Sequence, residues 1–273
     1  MNIEKLITKK LVRKSLYEFV KEFWNTCDAA PFIGGELVEY LCEAFTWSVR
    51  NWLPESVTQH FISDSDFNAI IEREKSLSLN VYNFREKKAN NHNFNMPPGH
   101  TKSMILNVLG PTWVFAHTGV RIASISHTAP LAASMNRKRQ AVIKSNKWRD
   151  YFPEIKLIKD QGESLIGDHF GELYSINMGA FTGYSAEIII NDDIVSSEQA
   201  RKDKAALANA IAYYRDTMPS RIRDQKRGVI WNVQQRLAPK DVSGYIQSDP
   251  ELSSVYTNTI IKAITEEDTT YVF

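Results

Sequence analysis

Cysteine is nearly absent: the 273-residue chain has only Cys27 and Cys42, with no CxxC spacing. That argues against a cysteine zinc centre and for free, buried thiols in helix-like sequence. An excess of one charge is also lacking. Lys and Arg total 33 and Asp and Glu 32, a net charge of +1. The chain therefore does not advertise nucleic acid by overall charge, and any DNA contact must come from a local patch. No apolar run approaches the length of a membrane span, and the N-terminus carries Lys and Glu without an apolar signal core. A soluble cytoplasmic protein without a membrane partner is expected. Repeats and low-complexity tracts are missing as well. His92, His100, His117, His127 and His169 show no ligand spacing.

What is present suits a sizeable core. Apolar residues make up 43% of the chain and six are Trp, enough for one large core or a core with a small satellite. Residues 1–80 read as a helical subdomain. Leu6, Leu11, Leu16, Phe19, Val20 and Phe23 fall roughly on one face, and Leu37, Tyr40, Leu41, Ala44, Phe45 and Val49 on another after the Gly34–Gly35 break. Residues 81–273 read as the main core, with strand–helix alternation from residue 91. Strands are expected around 94–96, 120–126, 172–178, 188–190 and 228–233. Helices are expected over 101–109, ended by Gly110–Pro111, and over 129–147 and 196–214. Such alternation predicts an α/β fold with a mostly parallel sheet covered on both faces.

Three segments carry chemistry. The first is Met96-Pro97-Pro98-Gly99-His100-Thr101-Lys102-Ser103, which follows one candidate strand and opens a helix. Backbone amides at a helix N-terminus cradle anions, a Lys there reaches β- and γ-phosphates, and the next Ser hydroxyl suits Mg²⁺. Against the pattern GxxxxGK[ST], Met96 and Thr101 stand where glycines are usual. Taken alone, the segment also suits an ordinary strand–turn–helix with a solvated lysine.

The second is Ile188-Ile189-Ile190-Asn191-Asp192-Asp193, an apolar strand ending in two acids. Open α/β sheets bind ligands at the carboxyl ends of their strands. Phosphoryl transfer needs one acid for Mg²⁺ and a group to orient the attacking water. Asp192 is assigned to the metal and Asp193 to the water, because alternation along a strand aims the two side chains differently. A polar strand end before a helix cap is the simpler alternative for this segment alone.

The third is Gln234-Gln235-Arg236-Leu237-Ala238-Pro239-Lys240-Asp241-Val242-Ser243-Gly244. With these three segments in order, the chain from about residue 30 resembles the large terminase subunit of tailed bacteriophages. That family typically reads Pro-Pro-x-His-x-Lys-Ser, Ile-Ile-x-Asp-Asp and Gln-Arg-Leu-x-x-x-Asp-x-x-Gly. The segment 146–153, with Trp148, Tyr151 and Phe152, adds to the likeness. The resemblance implies an ASCE-type P-loop ATPase using ATP and Mg²⁺ to pump double-stranded DNA into a procapsid. It implies a homo-oligomeric ring on a portal protein, a small terminase subunit as partner, and the host cytoplasm as location. It places Pro98, Gly99, His100, Thr101, Lys102 and Ser103 on the phosphates and Gln235 in a coupling motif that senses the γ-phosphate. Ser103 and Asp192 fall on the metal, and Lys102 and Asp193 on the reaction. An arginine finger from a neighbouring subunit has its match in Asn136-Arg137-Lys138-Arg139, with Arg139 preferred over Arg137.

The family's RNase H-type nuclease domain is expected to be absent, since the chain stops near the end of the ATPase region and Glu266, Glu267 and Asp268 are merely consecutive. Two other functions are kept beside the motor: a nucleotide-binding assembly module that does not hydrolyse, and a metal nuclease using Asp192 and Asp193. For DNA contact the candidates are Lys9, Lys10, Arg13 and Lys14, and Arg221, Arg223, Lys226 and Arg227.

Overall fold

The apolar run at Ile188-Ile189-Ile190 becomes the centre of the molecule. In the computed structural model, which describes residues 3–58, 70, 72, 73, 75, 77, 80–82, 90–97 and 101–261, it forms strand β7 (Ile188–Asp192), buried at every position. Full burial of alternate side chains on both faces is what a continuous apolar run in a parallel sheet requires. Around β7 lie β1 (Asn80–Tyr82), β2 (Asn91–Asn95), β3 (Arg121–Ser126), β4 (Leu157–Gln161), β5 (Ser164–Gly167), β6 (Glu172–Asn177), β8 (Val229–Gln234) and β9 (Tyr256–Ile260). Among the described residues these make one nine-stranded sheet in the order β1-β9-β2-β8-β7-β3-β6-β5-β4. The six strands from β9 to β6 run parallel, and β1, β5 and β4 are antiparallel additions at the two edges. The fold is therefore α/β with a mostly parallel sheet, as the alternation predicts.

Helices cover both faces. One face, with Ile188, Ile190, Val229, Trp231, Val233 and Phe94, joins a single apolar cluster with α1 (Ile3–Lys14), α2 (Leu16–Phe23), α3 (Glu36–Val49) and the short α4 (Glu55–Thr58). Phe45 of α3 packs on Trp231 with ring centroids 5.4 Å apart. The N-terminal helices and this face of the sheet thus share one core. Leu6 and Leu11, expected on the apolar face of α1, remain exposed, and Val12 is the residue that α1 buries. Cys27 and Cys42 are free thiols; Cys42 is buried and Cys27 half-buried.

Several helix ends differ from expectation. Gly110–Pro111 ends nothing: the helix α5 continues from Thr101–Ser103 through a π-wound stretch, Met104–Leu109, into Gly110–Phe115. Gly110 is needed for close packing, because a Cβ there would sit 2.9 Å from the Phe45 ring and 2.8 Å from the Ile105 carbonyl. The expected helix 129–147 is two helices, α6 (Ala129–Lys144) and α7 (Asn146–Tyr151), because Ser145 turns extended and caps the second. The expected helix 196–214 begins as α8 (Ser197–Lys202) behind a Ser196–Gln199 capping box. Asp203 then breaks it and caps α9 (Lys204–Ala212), which runs on through Tyr213–Thr217 to Arg221. Helix α10 (Val242–Ser248) packs on the second face with α9. Strands β1, β4, β5 and β9 carry no assignment of their own from the sequence; β4 and β5 form a hairpin beside β6. Gly162, at φ 62°, supplies the left-handed residue of that hairpin's turn.

Candidate functional site

Strand β2 delivers the chain to the carboxyl edge of the sheet, where Met96 still donates to the Gln234 carbonyl at 3.2 Å. Pro98, Gly99 and His100 lie outside the described residues. The chain resumes at Thr101, where α5 starts, so Lys102 and Ser103 occupy its first turn. Lys102 is only 3% exposed. Its ammonium lies 3.3 Å from Asp193 Oδ1 and 3.2 Å from Oδ2. The Ser103 hydroxyl donates to Asp192 Oδ1 at 3.2 Å. Lys102, Ser103, Asp192 and Asp193 are therefore gathered at one point, although roughly a third of the chain separates the helix from β7.

The two acids do point differently. Asp192 is the last residue of β7 and projects to the side that carries Ile188 and Ile190, where α5 lies. Asp193 has left the strand with φ 45°, a left-handed conformation tolerated by Asp. That turn is fastened from three sides. Its amide donates to the Val233 carbonyl at 3.0 Å, its carbonyl meets His127 Nδ1 at 2.9 Å, and its Oδ1 accepts the Gln235 amide at 3.3 Å. Gln235 also reaches the Ser197 hydroxyl at the start of α8 through its side-chain amide. It thus connects the second acid to the helix that follows β7.

Asp192 is 3% exposed. Burial, with the Asp193 carboxylate beside it, pushes its carboxyl up to about 6, while the hydrogen bonds from Asn107 and Ser103 and the nearby Lys102 charge pull the other way. Asn107 donates to Asp192 Oδ2 at 2.9 Å. Its own Oδ1 accepts from Arg139 at 2.8 Å. A charged chain therefore runs from Arg139 through Asn107 to Asp192.

This arrangement corrects the expectation for Arg139. Its guanidinium has no exposure, and burial pulls it down to about 9, with Asp192 opposing the shift. It donates to the Asn107 carbonyl at 2.9 Å and to Ser175 Oγ at 2.7 Å, and it bonds Ser124 as well. All of these partners are in the same chain, so Arg139 is not presented to a neighbouring subunit. Its place has a local cause. Pro111 has no N–H for the carbonyl four residues earlier, and that carbonyl, Asn107, is the one Arg139 takes. Arg137, two residues back on α6, is exposed.

The third segment shapes a loop. Asp241 Oδ2 accepts from the Leu237 amide at 2.8 Å, the Ala238 amide at 3.2 Å and Arg236 Nε at 3.2 Å. Its Oδ1 caps α10 by accepting the Gly244 amide at 2.8 Å. A Cβ on Gly244 would lie 2.0 Å from the Pro239 carbonyl, so only glycine closes this loop. The Arg, Asp and Gly of the segment thus hold Gln235 against Asp193.

The donor set suits a hard divalent cation shared with a ligand. Ser103 Oγ and Asp192 Oδ1 are adjacent oxygens, and Mg²⁺ is commonly held by one or two carboxylates together with substrate phosphates. Among the described residues no group of three His, Cys, Asp or Glu could hold a metal alone. Sequence reasoning missed Asn107, His127 and Ser197. Asn107 had a usable signal, standing one helical turn beyond Ser103 on the same side of α5. Of the basic groups, Arg13 pairs with Glu154, Arg223 with Glu187 at 3.4 Å and Arg227 with Asp224 at 2.8 Å. Among the described residues no helix is long and apolar enough to cross a membrane. No family model and no curated protein matches the chain.

Proposed function

We propose that the chain is a Mg²⁺-dependent, ASCE-type P-loop ATPase whose hydrolysis drives double-stranded DNA into a viral procapsid, as the motor domain of a terminase-like packaging enzyme. One observation carries the chemical part: Lys102 and Ser103, in the first turn of a helix entered from a parallel strand, touch the consecutive acids that end another parallel strand. Phosphoryl transfer draws on positioned charge more than on covalent help from the protein, and these are the groups it needs.

The roles follow from placement. The α5 N-terminus and the Lys102 ammonium bind the β- and γ-phosphates. Ser103 and Asp192 hold the cation, which supplies charge neutralisation on the phosphates when bound. Asp193, less buried than Asp192, orients water. Asp193 is paired with Lys102, so phosphates that bind there would compete for the ammonium and free the acid. Gln235 couples that release to α8 through Ser197. Arg137 replaces Arg139 as the arginine open to a neighbouring subunit in a ring. The portal protein, the small terminase subunit and DNA enter as partners through the likeness of the three segments alone.

Phosphate release from ATP tests the chemistry. Mg²⁺-dependent release is expected in the wild type, with a loss on the order of 10³-fold in Lys102→Ala and in Asp192→Ala. Equal rates in wild type and Lys102→Ala would overturn the assignment. Plasmid cleavage with Mn²⁺ that disappears in Asp192→Ala would replace it with a nuclease.

A further inference from the structure

A cavity of about 540 Å³ opens beside the first turn of α5. It falls within the roughly 300–1,000 Å³ typical of small-molecule sites. Thr101 and Ser103 form one wall, so the cavity is continuous with the residues that meet Asp192. The opposite wall comes from the segment between α2 and α3, through Trp24, Pro31 and Ile33. Met104 of α5 and Met135 of α6 line the remainder.

Two charges stand in this slot. Lys138 Nζ lies 3.3 Å from Asp28 Oδ2 and 3.1 Å from the Met104 sulfur. Asp28 is held in place by accepting the Ala30 amide at 3.0 Å, and Trp24 Nε1 fixes the same segment by donating to the Ala30 carbonyl at 2.9 Å. Trp24 also leans on Phe32, with centroids 5.5 Å apart. The slot is therefore built from a braced loop. Ile33 stays 50% exposed at its mouth, an apolar side chain without a cover.

We propose that this cavity takes the base and ribose of the nucleoside triphosphate, an inference that rests on the phosphate assignment above. A flat aromatic ring fits between thioether and indole surfaces, where sulfur–aromatic contact is favourable. Asp28 accepts only, so it faces an N–H on the base edge; Lys138 donates only, so it faces a ring nitrogen, carbonyl or hydroxyl. A ligand laid this way passes over Thr101 and Ser103, which brings its phosphates to Lys102. The linker between α2 and α3 then acts as a reader of the nucleoside, although it lies far from the phosphate segment in sequence.

Calorimetric titration with ATP and with inorganic tripolyphosphate, both with Mg²⁺, separates the two ends of the ligand. Ile33→Asp changes an exposed position, and Met135→Ala shortens a half-buried one, so both variants keep the fold. Each is expected to weaken ATP by about tenfold while leaving tripolyphosphate within about twofold of wild type. Lys102→Ala is expected to weaken both probes. ATP binding unchanged in both cavity variants, or an equal loss for tripolyphosphate, would overturn the cavity assignment and leave the phosphate site standing. A wild type that binds neither probe would overturn the phosphate assignment, and this inference with it.

Discussion

The two faces of the sheet bury polar groups in opposite ways. Under α5 and α6 two buried groups carry charge, Arg139 and Asp192, joined through Asn107, while farther along the same face His92, Tyr40 and Thr259 form a neutral set. On the face under α10 the buried polar groups are neutral amides in a row. Asn258, Asn93, Asn232 and Asn191 stand in register across β9, β2, β8 and β7. Asn93 donates to Asn258 and accepts from Asn232, each at 2.8 Å, and the Ser243 hydroxyl of α10 closes the set at 2.8 Å from Asn93. A neutral row bonded from strand to strand between Asn258 and Asn232 fixes register and has no charge to offer a ligand, although the Asn232 and Asn191 side-chain oxygens themselves find no partner among the described residues. The charged face ends at the sheet's open edge, where a triphosphate and a cation have something to meet. Chemistry is assigned to one face and alignment to the other on that basis.

The largest effect expected from breaking this contrast is on stability, at Arg139. Arg139→Met should cost about 3 kcal/mol or more in urea unfolding, because the Asn107 carbonyl, Ser124 and Ser175 lose their donor and Asp192 loses a compensating charge. A cost below 1 kcal/mol would show that the charged chain is not holding the helix. On the neutral face, Asn232→Ala should cost about 2 kcal/mol, since Asn93 and Ser243 lose a partner. Nucleotide affinity should stay at the wild-type value, and a selective loss of ATP binding would erase the division between faces.

The smallest effect concerns pH. The Asp192 carboxyl is raised from 3.8 to about 6 in the folded chain. The folded state therefore holds this proton more tightly than the unfolded chain. The stability it contributes is complete below about pH 4 and is lost as pH rises through about 6. In EDTA, Asp192→Asn should melt at the wild-type temperature near pH 4 and above it at pH 7. A difference that does not grow with pH would mean that the carboxylate is compensated by its neighbours.

The same contrast decides what could be read from sequence. β7 and β8 bury aliphatic side chains on the face under α5, so their apolar runs announced them, and the acids ending β7 were legible as an edge. β9, Tyr256–Ile260, carries Thr257, Asn258 and Thr259 inside, and β2 carries Asn93 and Asn95 inside. Buried amides look like loop residues until their partners on other strands are known, which is why β9 went unread and β2 was read short. Asn191 belongs to the other face of β7 and leaves Asp192 undisturbed. Lys102, Ser103, Asp192 and Asp193 were legible because local motifs mark them. Asn107 is marked only by its spacing one helical turn beyond Ser103, and the inward turn of Arg139 is not marked at all, because it depends on the carbonyl that Pro111 leaves without an amide.

The central claim is that the α5 N-terminus and the end of β7 form one triphosphate–magnesium site. A crystal structure with Mg²⁺ and a non-hydrolysable ATP analogue tests it most directly. The γ-phosphate is expected within hydrogen-bonding reach of Lys102 Nζ, the cation beside Ser103 Oγ and Asp192, and Asp193 released from the lysine. An analogue bound elsewhere, with the Lys102–Asp193 pair intact, would contradict it.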